Sequence, residues 1–210
     1  MMKSIEKINS HLVKSYYENI FLKFKSGPKA ANWSSKQSQF LRFKILSEVS
    51  DLNNKSIHDV GCGLGDFYFY LRKKINKFNY LGSDISPIII NKAKKKINSN
   101  NSNFQCLDLL KDKKIKKCDF VITSGLFNVK DKNSNQLWEK FIKKMIQKMF
   151  VLSKKGIAFN MMKFNVDYKD NHLYYQSIDK LICFLEKEIS KKIIIRQDYD
   201  LWEYTCYVYK

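Results

Sequence analysis

A strand-like run that leads into three closely spaced glycines constrains the fold of this chain more than any other feature. The run extends from Lys55 to Val60 and continues through Gly61, Gly63 and Gly65 into a helix-like segment. Glycine lets the backbone turn sharply and lets a ligand approach the main chain closely. The first N–H groups of the following helix have no partner within the helix, so they favour polar ligands. The run therefore predicts a ligand-binding turn between a strand and a helix.

Length and composition favour a single globular domain. The chain has 210 residues, of which 44% are hydrophobic and 14% aromatic, which is enough to bury a sizeable core. Its uninterrupted apolar runs are too short for a membrane-spanning helix. Met1 to Ser10 lacks the apolar core of a signal peptide. We therefore expect a cytoplasmic protein without a membrane span.

The net charge of +19 raises the question of a nucleic-acid partner. Only Arg42, Arg72 and Arg196 are arginines, and every other basic residue is lysine. Phosphate-binding surfaces often use arginine for its bidentate geometry. The lysine excess therefore favours solvated surface positions, and nucleic-acid binding remains the alternative that is not favoured.

The cysteines and histidines do not form a metal-binding pattern. The five cysteines include no CxxC pair, and the three histidines lack HxH or HxxxH spacing. Cys62 lies in the glycine-rich turn, where a small residue is needed. We predict no metal site and no disulfide framework.

Strand-like and helix-like segments alternate after residue 51. The pattern predicts strands at Ser56–Val60, Phe78–Ser83, Phe104–Leu107, Asp119–Thr123, Ile157–Met161, Lys192–Arg196 and Tyr204–Tyr209. Helices are expected at Met1–Phe24, from about Ser35 to Val49, and at Gly65–Ile75, Ser86–Ile97, Asn133–Leu152 and Ser177–Ile189. The alternation predicts a doubly wound, Rossmann-like α/β fold with seven mostly parallel strands. A hairpin-length link, Gln197 to Trp202, makes one strand near the C-terminus antiparallel.

Polar residues follow the ends of four successive predicted strands. Asp59, Asp84 and Asp108 end the first three strands, and Thr123, Ser124 and Gly125 end the fourth. Ligands of open parallel sheets bind beyond the carboxyl ends of the strands. Each acid also has a structural alternative, because Asp after a strand often caps a helix or forms a turn.

The spacing of the glycines separates two cofactor classes. A dinucleotide-binding turn has the pattern G-x-G-x-x-G, and Asp66 occupies the place of its third glycine. Turns of the other cofactor class have an acid two residues before G-x-G-x-G. Asp59 occupies that position.

Four segments in this order resemble the four motifs of the class I S-adenosylmethionine-dependent methyltransferases. They are His58–Phe67, Tyr80–Ser86, Phe104–Asp108 and Cys118–Leu126. The resemblance covers roughly residues 52–210 and implies S-adenosylmethionine as cofactor. It implies that Asp84 holds the ribose hydroxyls and that Asp108 faces the adenine amine. The cofactor-binding residues expected from it are Asp59, Gly61, Cys62, Gly63, Gly65, Asp84, Ile85, Asp108, Leu109 and Ser124, with Arg42 on the cofactor carboxylate.

The acceptor side is less specified by the sequence. The chain lacks the Asn/Asp-Pro-Pro-aromatic run and the Pro-Cys pair associated with base methylation. We expect one domain, 1–210, with residues 1–50 as a helical lid and 51–210 as the core. Four residues of the lid can line the site or pack in the core: Trp33, Gln39, Arg42 and Phe43. Five residues can act as a general base or form a wall of the acceptor site: Tyr16, Tyr17, His172, Tyr174 and Tyr175.

These features predict methyl transfer to oxygen or nitrogen of a small metabolite or biosynthetic intermediate. The alternatives are an RNA or protein methyltransferase and a non-enzymatic module that binds S-adenosylmethionine. Neither the catalytic residues nor the oligomeric state is specified by the sequence.

Overall fold

The computed structural model describes residues 14–31, 35–97 and 99–210. A central sheet has the strand order β3-β2-β1-β4-β5-β8-β7, and a further short strand, β6, pairs with β5. The strands are β1 (Ser56–Val60), β2 (Asn79–Asp84), β3 (Ser102–Cys106), β4 (Cys118–Thr123), β5 (Ser153–Lys163), β6 (Tyr175–Gln176), β7 (Ile193–Arg196) and β8 (Glu203–Tyr209).

Strands β1 to β5 pair in parallel, whereas β8 runs antiparallel to both β5 and β7. The predicted Rossmann-like sheet with one antiparallel strand near the C-terminus is therefore confirmed. The two-residue strand β6 is an addition that the sequence analysis missed. A strand of two residues has too few positions to show a period-two alternation of side chains.

Helices cover both faces of this sheet. The described part of the first helix, α1, covers residues 14–24, and a short 3₁₀ helix follows at Pro28–Ala31. The remaining helices are α2 (Lys36–Ser47), α3 (Asp66–Arg72), α4 (Pro87–Lys96), α5 (Asn135–Leu152) and α6 (Ile178–Glu188). The predicted start of the first helix at Met1 lies outside the described residues.

Serine side chains fix where three of the helices begin. Ser35, Ser86 and Ser134 each accept a hydrogen bond from the backbone N–H three residues later. These bonds satisfy N–H groups that lack an intrahelical partner. Other boundaries were less accurate: α3 ends at Arg72 rather than Ile75, and β5 begins at Ser153 rather than Ile157.

The hydrophobic core consists of two layers separated by the sheet. One layer packs α5 and α6 against the sheet and includes the fully buried Trp138 and Ile146. The other packs α2, α3 and α4 against the opposite face and includes Leu46 and Leu71. Each such side chain contributes about 1.5–3 kcal/mol through burial. No helix in the described residues is long and apolar enough to cross a membrane.

Candidate functional site

The glycine-rich turn after β1 uses its glycines for different purposes. Gly61, Gly63 and Gly65 have φ angles of +72°, +53° and +77°, which residues other than glycine rarely adopt. A Cβ added at Gly63 would meet nothing within 4 Å. A Cβ at Gly65 would lie 2.5 Å from Ile97 Cδ1. Gly63 therefore borders open space for a ligand, whereas Gly65 allows close packing of α3 against α4.

Asp84 ends β2 and connects the turns that follow β1 and β2. Its Oδ2 accepts a hydrogen bond from the Gly63 backbone N–H at 3.2 Å, and its Oδ1 accepts one from the Ser86 N–H at 3.0 Å. Burial raises the pKa of this carboxyl group above its usual value. A carboxylate in this position can accept two hydroxyl donors on its remaining lone pairs.

Asp59, at the end of β1, is buried beneath the glycine-rich turn. Tyr80 donates its hydroxyl hydrogen to Asp59 Oδ2. Burial raises the pKa of Asp59 to about 7, although the Tyr80 hydrogen bond opposes that increase. The thiol of Cys62 is also buried, which raises its pKa and keeps it protonated. Cys62 therefore fills space in the turn and is not a nucleophile.

The residues that follow β3 form another part of the site. Asp108 Oδ1 accepts a hydrogen bond from the Leu110 N–H at 3.2 Å, and Oδ2 forms an ion pair with Lys111. Leu109 is buried in the core layer of α5. Asp108 thus helps form its own turn and also lines the cavity, and its contact with the cofactor remains a prediction.

A polar atom without a partner lies at the end of β4. The Ser124 Oγ is buried and has no hydrogen-bond partner among the described residues. The next residue, Gly125, donates its N–H to Asn160 Oδ1 at 2.7 Å, which holds this turn against β5. A buried hydroxyl without a partner indicates a position where a ligand can complete the bonding.

Arg42, on α2, forms a buried ion pair with Glu203 on β8. The Arg42 Nε lies 3.0 Å from each carboxylate oxygen of Glu203, and Nη1 donates to the Ser38 carbonyl at 3.0 Å. Asn128 Nδ2 donates to Glu203 Oε1 at 3.1 Å. The proposed contact of Arg42 with the cofactor carboxylate therefore remains a prediction, made for a side chain that already has an anionic partner.

These groups line one cavity of about 580 Å³ at the carboxyl edge of the sheet. All the expected cofactor-binding residues line it except Gly65, whose surroundings are already filled. Gln39, Arg42 and Phe43 of the expected lid also line it, whereas Trp33 lies outside the described residues. The volume is within the range of about 300–1,000 Å³ that is typical of small-molecule sites.

Helix α1 covers the side of the cavity next to the glycine-rich turn. Phe21 packs with Leu64 and Ile89, and Glu18 Oε1 accepts a hydrogen bond from the Ser86 hydroxyl at 2.7 Å. Tyr17 lines the cavity, and burial raises the pKa of its hydroxyl. The cover therefore contacts the same turns that carry Gly63 and Asp84.

The opposite end of the cavity is formed by the segments that follow β4 and β5. Asn128, Val129, Met162, His172 and Leu173 line this end. The hydroxyl of Tyr174 donates to Gln176 Oε1 at 2.8 Å, and that of Tyr175 accepts from the Asp170 N–H. Among the five residues considered as base or wall, Tyr17 and His172 line the cavity.

The sequence analysis missed Glu203 and Asn128. The only signal for Glu203 was a single acid at the start of an otherwise apolar strand, Glu203–Tyr209. Asn128 carried no distinguishing signal, because asparagine after a strand is common in turns.

An α/β sheet of this order with a ligand cavity at its carboxyl edge defines a Rossmann-like cofactor-binding protein. Residues 57–155 match the methyltransferase domain family. The methyltransferase-like protein Rv1506c of Mycobacterium tuberculosis is 29% identical over 161 residues, which are 74% of this chain and 93% of that protein. A malonyl-[acyl-carrier protein] O-methyltransferase of Acetivibrio thermocellus is 34% identical over 85 residues, 39% of this chain and 30% of that enzyme.

The fold also matches solved methyltransferase structures. Magnesium protoporphyrin IX methyltransferase from Synechocystis PCC 6803, with bound SAH, superposes with a TM-score of 0.69 at 14% identity. The match covers 98% of this chain and 99% of that one. In sequence and fold, this chain is similar to the class I S-adenosylmethionine-dependent methyltransferases. The open space at Gly63, the half-buried Asp84 carboxylate and the unpaired Ser124 hydroxyl fit that cofactor.

Proposed function

We propose that this protein transfers a methyl group from S-adenosylmethionine to oxygen or nitrogen of a small-molecule acceptor, such as a metabolite or biosynthetic intermediate. The observation that carries the proposal is the cover formed by α1. Its Tyr17 and Phe21 line the same cavity as Asp84 and Ser124. A cavity covered in this way favours an acceptor small enough to enter it, because closure excludes water and fixes the reactants.

The cofactor-binding roles follow from the chemistry of the donors and acceptors. The ribose hydroxyls are donors, which suits the half-buried Asp84 carboxylate, and the adenine amine is a donor, which suits Asp108. The open space beside Gly63 suits the methionine portion, and Gly61 also lines the cavity. Asp59 is buried against the glycine-rich turn, and its carboxyl group, when ionised, faces the ammonium group of the cofactor.

The distribution of charge around the cavity supports a small molecule over RNA. Among the described residues that line it are five carboxylates and three cations: Asp59, Asp66, Asp84, Asp108 and Glu203 against Lys14, Lys29 and Arg42. Other lysines lie next to the opposite edge of the sheet, where Lys154 and Lys155 are near the start of β5 and Lys192 precedes β7. An RNA substrate needs positive charge where the backbone enters the site.

Relatives support the same acceptor class. The superposed Synechocystis enzyme is named for magnesium protoporphyrin IX, and the Acetivibrio relative is named as an O-methyltransferase. Neither name identifies the acceptor of this chain, so the proposal is limited to the class of small molecules with an oxygen or nitrogen acceptor.

Titration calorimetry with S-adenosylmethionine, followed by incubation with a panel of small hydroxyl and amine compounds, tests the proposal. We expect micromolar cofactor binding and formation of S-adenosylhomocysteine that depends on a panel compound. A salt titration of RNA binding tests the first alternative. A steep log–log decrease in affinity together with methyl transfer to RNA would contradict the small-molecule assignment. Cofactor binding without turnover on any compound would favour a non-enzymatic module.

A further inference from the structure

The loop between β5 and β6 carries a histidine that no cofactor role explains. His172 lines the acceptor end of the cavity together with Asn128, Val129 and Leu173. Most of the residues expected to hold the cofactor follow β1, β2 and β3, on the other side of β4. His172 therefore lies on the side of the cavity that remains for the acceptor.

The backbone of His172 is fixed against the segment that follows β4. Its carbonyl oxygen accepts hydrogen bonds from the N–H groups of Lys130 and Asp131, both at 3.0 Å. The adjacent Leu173 forms an isolated antiparallel bridge with Val129. The segment that carries Val129 begins directly after the Ser124 turn, so the position of His172 is coupled to the carboxyl end of β4.

The imidazole of His172 is held by a carboxylate on the same loop. The His172 Nδ1 forms a hydrogen bond with Asp170 Oδ1, which also accepts the His172 backbone N–H at 3.1 Å. These two bonds lower the pKa of Asp170, so its carboxylate is an anion at neutral pH. A carboxylate anion only accepts hydrogen bonds, and therefore Nδ1 carries the proton.

In the neutral ring with the proton on Nδ1, the second nitrogen, Nε2, has a free lone pair. Within the described part of the chain, His172 Nε2 makes no hydrogen bond. A neutral imidazole with its Nδ1–H oriented by a carboxylate is the arrangement in which Nε2 acts as a general base. The side chain is 42% exposed, so a proton taken up at Nε2 can return to solvent.

We propose that His172 is the general base of methyl transfer and that Asp170 is its positioning residue, an inference that rests on the proposed function. As the acceptor oxygen or nitrogen bonds to the methyl carbon, its proton moves to His172 Nε2. The electron pair of the broken carbon–sulfur bond stays on sulfur, which becomes a neutral thioether. Asp170 stabilises the imidazolium until solvent removes the proton. The acceptor class is therefore one that carries its proton at neutral pH, an alcohol, phenol or amine, and not a carboxylate.

The first test compares acceptors that need a base with one that does not. The probes are phenol, benzyl alcohol and benzylamine, with benzoate as the ionised comparison, and the wider hydroxyl and amine panel follows. For every turned-over compound of the first kind, we expect His172→Gln to lower kcat by about 10²–10⁴-fold with little change in KM. Asp170→Asn lowers it by about 10-fold or more, and Asn171→Ala, an exposed neighbour in the same turn, leaves it unchanged.

The pH dependence separates a base from a merely structural residue. With phenol or benzylamine as acceptor, we expect the rate of His172→Gln to recover as rising pH deprotonates the acceptor without help, whereas a distorted site gains nothing from pH. The charged groups near His172 are Asp170 and Lys169 in its own loop and Lys130 and Asp131 in the facing segment; the imidazole hydrogen-bonds to Asp170. Equal losses on benzoate and the hydroxyl probes, or no recovery with pH, would overturn the proposal.

Nitrogen-15 NMR of the imidazole provides a readout that needs no acceptor. The spectrum of the wild type, assigned with His172→Gln, is expected to show the neutral ring protonated on Nδ1, and Asp170→Asn to lose this preference. A neutral ring protonated on Nε2 would refute the general-base role by itself. If no panel compound is methylated, the small-molecule proposal fails, and the tautomer then decides the inference about His172.

Discussion

Arg42 and Glu203, 161 positions apart in the sequence, form a buried ion pair in the wall of the cavity. The side chains are 11% and 1% exposed, and the Arg42 Nε is 3.0 Å from both oxygens of Glu203. The Asn128 and Asn160 amides donate to the same carboxylate. The pair therefore joins α2 to β8 and, through Asn160, to the Gly125 turn that follows β4.

Removing one partner of this pair is expected to destabilise the protein strongly. Glu203→Ala leaves the Arg42 charge buried without its anion, which costs about 3–5 kcal/mol in the free energy of unfolding. The double variant Arg42→Met/Glu203→Ala removes both charges and is expected to cost less than the sum of Arg42→Met and Glu203→Ala. Urea denaturation of the four proteins of this double-mutant cycle measures the coupling.

The exposed pair of Arg196 and Glu48 provides the matched control. Its side chains are 29% and 36% exposed, and the guanidinium lies 3.0 Å from the carboxylate. Glu48→Gln is expected to cost at most about 1 kcal/mol. A cost for Glu203→Ala as small as that of Glu48→Gln would show that the buried pair does not hold α2 against β8.

The ligand-facing role of Gly63 predicts a loss of cofactor affinity without a steric clash in the protein. Gly63→Ala places a residue with a Cβ at φ +53°, which costs about 1–2 kcal/mol, and its methyl group enters the open space beside the turn. We expect the affinity for S-adenosylmethionine to decrease at least 10-fold while the variant still folds. Calorimetry measures the affinity, and thermal denaturation measures the stability.

Gly27→Ala is the control for backbone strain alone. Gly27 has φ +77° with nothing within 4 Å of an added Cβ, and it does not line the cavity. The Gly27→Ala variant should lose about as much stability as Gly63→Ala but retain its affinity for S-adenosylmethionine. If both variants bound the cofactor equally well, the space beside Gly63 would not be part of the cofactor site.

The sequence predicted the sheet and most of the cavity because both depend on local patterns. Alternating strands and helices fix the order of elements, and the carboxyl ends of parallel strands share one edge. Asp59, Asp84, Asp108 and Ser124 could therefore be placed together before any contact was known. Their individual roles toward the cofactor remain predictions, since each acid also forms or supports a turn.

The pairings that the sequence did not predict depend on tertiary packing. Arg42 was expected to contact the cofactor, and only the position of α2 against β8 brings its guanidinium to Glu203. Likewise, a histidine two residues after an acid is a common surface pattern. His172 becomes a candidate base only because its loop pairs with the segment after β4.

Asp84→Asn is expected to weaken cofactor binding more than it weakens the fold. The change replaces a charged acceptor with an amide whose single oxygen keeps one of the two hydrogen bonds from the Gly63 and Ser86 N–H groups, which bind different oxygens of Asp84. A hydrogen bond to a charged group contributes about 1.5–3 kcal/mol, so the affinity should fall by about 10–100-fold. Calorimetry with S-adenosylmethionine measures the loss.

Asp119→Asn makes the same substitution at the opposite edge of the sheet. Asp119 Oδ2 accepts hydrogen bonds from the N–H and hydroxyl of Ser56, at 2.8 Å and 2.7 Å. This variant should lose stability and keep its cofactor affinity. Unchanged affinity in Asp84→Asn would remove Asp84 from the cofactor site.

Two neighbours on β1 predict opposing effects of pH on stability. Burial raises the pKa of Asp59 to about 7 and lowers that of His58 to about 4, from usual values of about 3.9 and 6.5. Between about pH 3.9 and pH 7, folded Asp59 keeps a proton that the unfolded chain releases. The contribution of Asp59 to stability therefore falls as pH rises. Folded His58 stays neutral while the unfolded chain takes up a proton, so its contribution rises with pH.

In the wild type these two slopes, each at most about 1.4 kcal/mol per pH unit, oppose one another between pH 4 and 6.5. Asp59→Asn removes one slope, so this variant should lose stability on acidification more steeply than the wild type. His58→Gln removes the other slope and should instead become less stable as pH rises toward 7. Urea denaturation at half-unit steps from pH 4.5 to 8 measures all three proteins. Parallel curves would mean that neither side chain changes its proton affinity on folding, and the burial of Asp59 beneath the cofactor turn would then need another explanation.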